Sequence, residues 1–233
     1  MIRIDRIRGH SFIADWLGAD CLIIDLGMNR GDFAREIQQK YGSRVLGVEA
    51  NPALISAISH RDRLEVLNYA VGVSAGSVAF HINIHNSEMS SLLSLRQDDR
   101  EVVVPGITLA ELFGIGGVTD VSLLKVDIEG AEIGLLQSAP LEVLLKARQI
   151  SVEFHVFMGK GTSRDVAEII KRMERIGFFA LDFSRTYEDV LFINTRYFPL
   201  STGCRLSLLF QKYGAGLSRV WQRQVARGER ARS

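Results

Sequence analysis

Two short stretches of the 233-residue chain hold side chains whose types and spacing could do chemistry: "IIDLGMNRGDF" at residues 23–33 and "LLKVDIEGAE" at 123–132. In the first, Asp25 ends an apolar run, and Gly27 and Gly31 bracket Met28, Asn29 and Arg30 before a helical pattern begins at Asp32. A glycine turn between a strand and a helix is where backbone N–H groups meet a ligand. A dinucleotide site would place Gly-x-Gly-x-x-Gly here, so that the backbone can close on a pyrophosphate. This turn instead has a side chain near the middle glycine and an acid at each side. Two carboxylates beside a pyrophosphate would cost about 1–4 kcal/mol per close pair in a partly dry site.

A ligand with positive charge at this end fits better. S-adenosylmethionine carries an ammonium and a sulfonium beside one carboxylate, so N–H groups of the turn can take the carboxylate while Asp25 offsets the cationic side. Glu49, in "VEANP", closes the second strand at the distance expected for a contact to both ribose hydroxyls, which marks a nucleoside without separating the two cofactor classes. Taken singly, Asp25 and Glu49 also read as helix-cap or surface carboxylates. Their joint placement with Gly27 and Gly31 carries the functional reading.

In "LLKVDIEGAE", Lys125, Asp127 and Glu129 share strand parity, and Glu132 opens the next helix turn. A lysine in a buried parallel strand needs a carboxylate partner, so a structural ion-pair cluster is one reading of Lys125 and Glu132. Asp127 sits at the strand tip, facing the transferable group. In "ISVEFHVF", Glu153 and His155 share a face by the two-residue period. That places His155 as a base toward the acceptor and Glu153 deeper, as a partner for Lys125. Two alternatives stand beside it: a divalent ion held by Asp127, Glu129 and His155, and a histidine merely satisfied at a strand end.

The elements that must position these residues alternate. "CLIID", "RVLGVEA", "LEVLNYAVGV", "SVAFHINI", "VSLLKVD" and "RQISVEFHVF" read as strands, and "FFALDFS" with "DVLFIN" as the closing pair. "DFAREIQQKYG", "NPALISAISH" with Asn51 as cap and Pro52 at its first position, "ITLAELF", "GAEIGLLQ" and "SRDVAEIIKRMERIG" read as helices. Strand–helix alternation requires crossover connections, hence a doubly wound, mainly parallel α/β sheet with helices on both faces. Ligands then bind beyond the carboxyl ends of the strands, where Asp25, Glu49, Asn68, Asp127 and His155 lie.

A formal net charge of +1 gives no general argument for nucleic acid or an acidic partner. Cys21 and Cys204 have no metal or disulfide spacing, and there is no apolar run of about 18 residues or signal-peptide core, so a cytoplasmic protein is expected. His10, His60, His81 and His85 lack ligand spacing and read as surface or strand residues. "NSEMSSLLS" reads as a solvated loop or a lid, and the arginine-rich tail as a solvated terminus.

The segments "IDLGMNRGDFA", "VLGVEANP", "NYAVG", "LLKVDIEGAE" and "ISVEFH" together resemble the FkbM-type methyltransferases, a branch of the class I S-adenosylmethionine-dependent enzymes, over Cys21 to Asn194. The resemblance implies a Rossmann-like seven-stranded sheet with an antiparallel last strand. It also implies methylation of a hydroxyl on a sugar, glycan or secondary metabolite, with Asp127, His155 and Glu129 at the catalytic end. By position, Asp25, Gly27, Asn29 and Gly31 would line the methionyl end, Glu49 the ribose, and Asn51, Asn68 and Ala70 the surroundings of the adenine. The expected organisation is a segment 1–20, a methyltransferase domain 21–195 and an extension 196–233. A non-catalytic S-adenosylmethionine-binding module and a nicotinamide-dependent oxidoreductase are the rival classes.

Overall fold

In chain order the strands are β1 (Ile4–Ile7), β2 (His10–Ile13), β3 (Leu22–Leu26), β4 (Arg44–Glu49), β5 (Leu64–Asn68), β6 (Ala70–Gly72), β7 (Gly76–Ile82), β8 (Arg100–Thr108), β9 (Leu123–Val126), β10 (Gln149–Val152), β11 (Phe178–Asp182) and β12 (Val190–Asn194). The helices are α1 (Asp32–Tyr41), α2 (Pro52–Ala57), α3 (Leu109–Ile115), α4 (Glu132–Ser138), α5 (Leu141–Leu144) and α6 (Ser163–Arg175), with a further helix over 202–212. The structure, a computed structural model, describes residues 2–58, 62–82, 100–115, 117–156, 161–184 and 186–212. The serine-rich stretch 87–95, His60, His85 and the arginine-rich tail lie outside the described residues.

The central sheet has seven strands in the order β11-β12-β10-β9-β3-β4-β5. β10, β9, β3, β4 and β5 run parallel, and β12 is antiparallel to both of its neighbours. This is the doubly wound, mainly parallel sheet that the strand–helix alternation implies, with the Rossmann-like seven strands and antiparallel last strand that the family resemblance implies. Alternate side chains feed the two faces. Ile24 and Leu26 join α3, α4 and α6 through Leu112, Leu135 and Ile169, whereas Ile23 and Val45 join α1 through Phe33 and Ile37. Chain order reverses between β3 and β9, so the crevice for a ligand opens at their carboxyl ends.

Three features differ from the sequence reading. The run 64–73 is two strands, because the chain leaves the central sheet at Tyr69 and β6 joins β8 and β7 in a separate three-stranded sheet. β10 stops at Val152, so Glu153 and His155 lie past the strand and its period no longer sets where they point. The first residues, which the sequence reading left without an element, form regular structure. β1 and β2 form a hairpin through Arg8 and Gly9, both at positive φ (48° and 93°), the backbone a two-residue turn requires.

Two buried polar groups fasten this hairpin to the sheet. The Gln149 side chain accepts from Ile13 N at 2.7 Å and donates to Ile13 O at 3.2 Å. Asp189 accepts from Ser11 N at 2.9 Å, from the Ser11 hydroxyl at 2.8 Å and from Arg6 Nε at 3.0 Å. At the other end of the chain, Leu208 on the 202–212 helix is fully buried against Ile13, Leu181 and Leu191.

Candidate active site

A cavity of about 220 Å³ opens at the carboxyl ends of β3, β4 and β9. Its floor is the turn after β3. Gly27 (φ 71°) is required there by close approach: a Cβ would stand 1.8 Å from the carbonyl oxygen of Asp127. Met28 folds back under the turn and is buried against Gly47, where a Cβ would meet its sulfur at 2.2 Å. The turn is stapled to β4, since Gly27 N and Met28 N both donate to Val48 O, at 2.9 and 3.1 Å, and Asn29 N donates to Glu49 Oε2 at 2.8 Å. The expectation that these N–H groups receive a ligand carboxylate is therefore corrected: the strand beside them already uses those at 27–29.

Glu49 lines the cavity and is held from behind, its second oxygen accepting Asn51 N at 2.8 Å. Burial raises its carboxyl above the ordinary value, and the N–H donors of Asn51 and Asn29 only partly offset this. Each oxygen keeps a lone pair for a hydroxyl donor. Beyond Glu49 the wall turns apolar, with Leu54, Tyr69, Ala70, Val71 and Phe80.

The opposite end is charged. Lys125 is buried, and its ammonium lies 3.0 Å from Asp25 Oδ1, 3.2 Å from Asp127 Oδ2 and 2.9 Å from Gly27 O. Burial opposes that charge, but the two carboxylates outweigh it and raise the ammonium above its ordinary value. Asp127 lines the cavity, and although burial disfavours its charge, Lys125 above all, and His155, hold the carboxyl well below the usual range.

Glu132 organises the loop that carries Asp127. Its Oε1 accepts from Ile128 N at 3.1 Å, Gly130 N at 2.9 Å and His155 Nδ1 at 2.9 Å, which bends the chain so that Glu129 (φ 52°) reaches the cavity wall.

Six of the sequence-expected residues line the cavity: Gly27, Asn29, Glu49, Ala70, Asp127 and Glu129. The other five stand behind it. Asp25 is fully buried and faces Lys125, so it acts on the cavity only through that cation. Gly31 precedes α1 in the left-handed conformation. Asn51 caps α2 by accepting Ala53 N at 3.1 Å, and the Asn68 amide donates to Glu49 O and Ala50 O at 2.9 and 3.0 Å. Burial works against the charge on His155, yet Glu132, Glu129 and Asp127 push it up to about 9, so it is an imidazolium at neutral pH. A base toward the acceptor is thus not what His155 is placed to be. Its Nε2 lies 3.7 Å from Asp127 Oδ1 and 3.4 Å from Glu129 Oε2, where it holds those acids in place. Nor does Glu153 pair with Lys125. It turns toward the hairpin, 3.9 Å from His10 Nε2, and burial, then the charge of Asp127, raise its carboxyl to about 7.

The residue missed from sequence is His10. It is 1% exposed, lines the cavity, and presents an Nε2 with no hydrogen-bond partner among the described residues, 3.5 Å from Asp127 Oδ2. Its signal was the two-residue Arg8-Gly9 turn in "RIRGHS". Arg8 also reaches the cavity, paired with Asp32 at 3.2 Å and Glu36 at 2.7 Å.

The donor set fits S-adenosylmethionine. Asn29 Oδ1 is buried on the cavity wall without a hydrogen-bond partner among the described residues, as an acceptor awaiting an ammonium would be. Glu49 stands midway for a ribose, the apolar end suits a purine, and Arg8 and Arg30 supply cations for a carboxylate.

Residues 25–180 match the model of the methyltransferase FkbM domain. No curated protein matches the chain. Among solved structures it is similar to a TehB-like S-adenosylmethionine-dependent methyltransferase from Corynebacterium glutamicum (16% identity, 75% of this chain and 80% of that one, TM-score 0.41). It is similar also to the fibrillarin pre-rRNA processing protein of Methanococcus jannaschii (13%, 82% and 69%, 0.40) and to a putative caffeoyl-CoA O-methyltransferase from Staphylococcus aureus (9%, 75% and 76%, 0.42). These likenesses are distant, and family membership rests on the domain match.

Proposed function

The chain belongs to the FkbM methyltransferase family, whose cofactor is S-adenosylmethionine, and from that premise we propose that it methylates a hydroxyl oxygen on a small molecule or glycan. The observation that carries the choice of oxygen is the acceptor end of the cavity. Asp127 is ionised there, His10 Nε2 stands beside it without a hydrogen-bond partner among the described residues, and Glu129 completes the wall. A wall of hydrogen-bond acceptors suits a group that must give up a proton.

When bound, the cofactor would supply a methyl group on a sulfonium, the S–C electron pair returning to sulfur as an oxygen lone pair forms the new C–O bond. The chain's own work is positioning and proton handling. Glu49 would accept hydrogen bonds from the ribose hydroxyls and Asn29 one from the ammonium, and Asp127 would orient the acceptor hydroxyl toward the methyl group. Asp25 acts through Lys125, which keeps Asp127 ionised without a free cation on the oxygen's path.

The test is incubation with isotopically methyl-labelled S-adenosylmethionine and panels of hydroxylated metabolites and glycans, read by mass spectrometry. A labelled product carrying one added methyl on oxygen supports the reading. A product methylated on nitrogen or carbon overturns the choice of oxygen, and cofactor binding with no turnover across the panels favours a binding module.

A further inference from the structure

We propose that His10, Asp127 and Glu153 form a binding site for a divalent metal ion at the acceptor end of the cavity. Three ligand atoms of suitable type, His10 Nε2, a carboxylate oxygen of Asp127 and one of Glu153, lie within 4.8 Å of one another. They come from three separate elements: β2, the loop after β9 and the segment after β10. His10 Nε2 is 3.5 Å from Asp127 Oδ2 and 3.9 Å from Glu153 Oε2. An ion about 2.1 Å from each ligand puts neighbouring ligand atoms about 3 Å apart and opposed ones about 4.2 Å apart, so both separations fall inside the range one ion spans.

The second observation is His10 itself. The side chain is 1% exposed, and its Nε2 has no hydrogen-bond partner among the described residues. Leaving a buried ring nitrogen in that state is costly, and histidines so placed have a use for the atom. Its other nitrogen, Nδ1, lies 3.4 Å from the Ser151 hydroxyl. With the proton on Nδ1 and directed to Ser151, the Nε2 lone pair points at two carboxylates, and three acceptors converging on one point call for a cation. A partner on the far ring nitrogen is the usual support of a metal-bound imidazole.

Lys125, 3.2 Å from Asp127 Oδ2, keeps that ligand ionised but occupies one side of it, so the ion enters from the side of His10. A mixed imidazole and carboxylate set suits Mn2+ and its first-row neighbours. The role of the ion rests on the proposed hydroxyl methylation: bound to the acceptor oxygen, it would ease loss of the hydroxyl proton to water before the methyl is transferred. The site itself rests on geometry alone.

The experiment is titration of the full-length, metal-stripped protein with Mn2+, following the free-ion electron paramagnetic resonance signal. Binding of S-adenosylhomocysteine is measured in parallel by calorimetry. One Mn2+ per chain is expected, with affinity reduced tenfold or more in His10→Ala and in Glu153→Gln, and unchanged in His81→Ala on β7. Because His10 is buried, Glu153→Gln at its partly exposed position decides the matter if His10→Ala does not fold. No saturable Mn2+ binding overturns the site, as does wild-type affinity in Glu153→Gln, or a loss produced by Glu129→Gln but not by Glu153→Gln. S-adenosylhomocysteine binding without Mn2+ binding removes the ion and leaves the methyltransferase reading intact; Mn2+ binding without S-adenosylhomocysteine binding does the reverse.

Discussion

Lys125 Nζ stands 3.0 Å from Asp25 Oδ1 across the adjacent strands β9 and β3, and Asp25 Oδ2 has no hydrogen-bond partner among the described residues. Asp25 is therefore a buried anion that depends on one cation. Removing one partner of such a pair costs about 3–5 kcal/mol, while replacing both with apolar groups recovers much of it. Lys125→Met is expected to lose stability in that range in urea unfolding, and Asp25→Leu/Lys125→Met to be more stable than Lys125→Met alone. A double variant no better than the single would mean that Asp25 draws its stabilisation elsewhere.

Gly27 has a different vulnerability. A Cβ there would sit 1.8 Å from Asp127 O at a φ of 71°, so Gly27→Ala must push the turn away from β9. The strain is expected to cost about 3 kcal/mol or more and to abolish measurable S-adenosylhomocysteine binding. Retained affinity in Gly27→Ala would show that the turn can move without disturbing the cavity.

His155 makes stability depend on pH. Its folded-state pKa, about 9, lies above the value of about 6.5 for a free imidazole, so the protonated contact with Glu132 stabilises the fold fully below that lower value. The contribution is lost as pH rises through about 9. His155→Gln is expected to lose about 1–3 kcal/mol at pH 6 and to converge on wild type above pH 10. A difference between the two that is constant across this range would contradict an imidazolium at His155.

The hairpin that delivers His10 hangs on Asp189, which is fully buried against Ser11. Asp189→Ala removes charged hydrogen bonds worth about 1.5–3 kcal/mol each. It is expected to raise amide hydrogen exchange over residues 4–13 well before the central sheet opens. Unchanged protection there would mean that Gln149 alone secures the hairpin.

What the sequence made legible follows from locality. The β3 turn, the helix cap at Asn51 and the cluster in "LLKVDIEGAE" are read from neighbours along the chain, and the mainly parallel sheet follows from the crossovers they imply, though its strand order does not. Direction across the sheet was not legible. Asp25 was expected to face the ligand but faces Lys125 on β9, because strand parity fixes a face and not which neighbour claims the charge. His155 escaped its expected role because β10 ends three residues earlier, and Glu132 on α4 then captures the ring. β8 was not read at all, since Pro105-Gly106 breaks its apolar run, yet Pro105 pairs with Ser77 inside the small sheet. His10 lies 117 residues before Asp127 in the chain, a contact that only the packing of the hairpin on β10 creates.

The central claim, that Glu49 and the turn after β3 hold S-adenosylmethionine at the carboxyl ends of β3, β4 and β9, is tested most directly by calorimetry with S-adenosylhomocysteine on wild type and Glu49→Ala. One equivalent should bind wild type, Glu49→Ala should bind it more weakly by about 1–3 kcal/mol as charged hydrogen bonds to the ribose are lost, and NAD should bind neither. Wild type that binds no S-adenosylhomocysteine, or a Glu49→Ala variant with undiminished affinity, would contradict the claim.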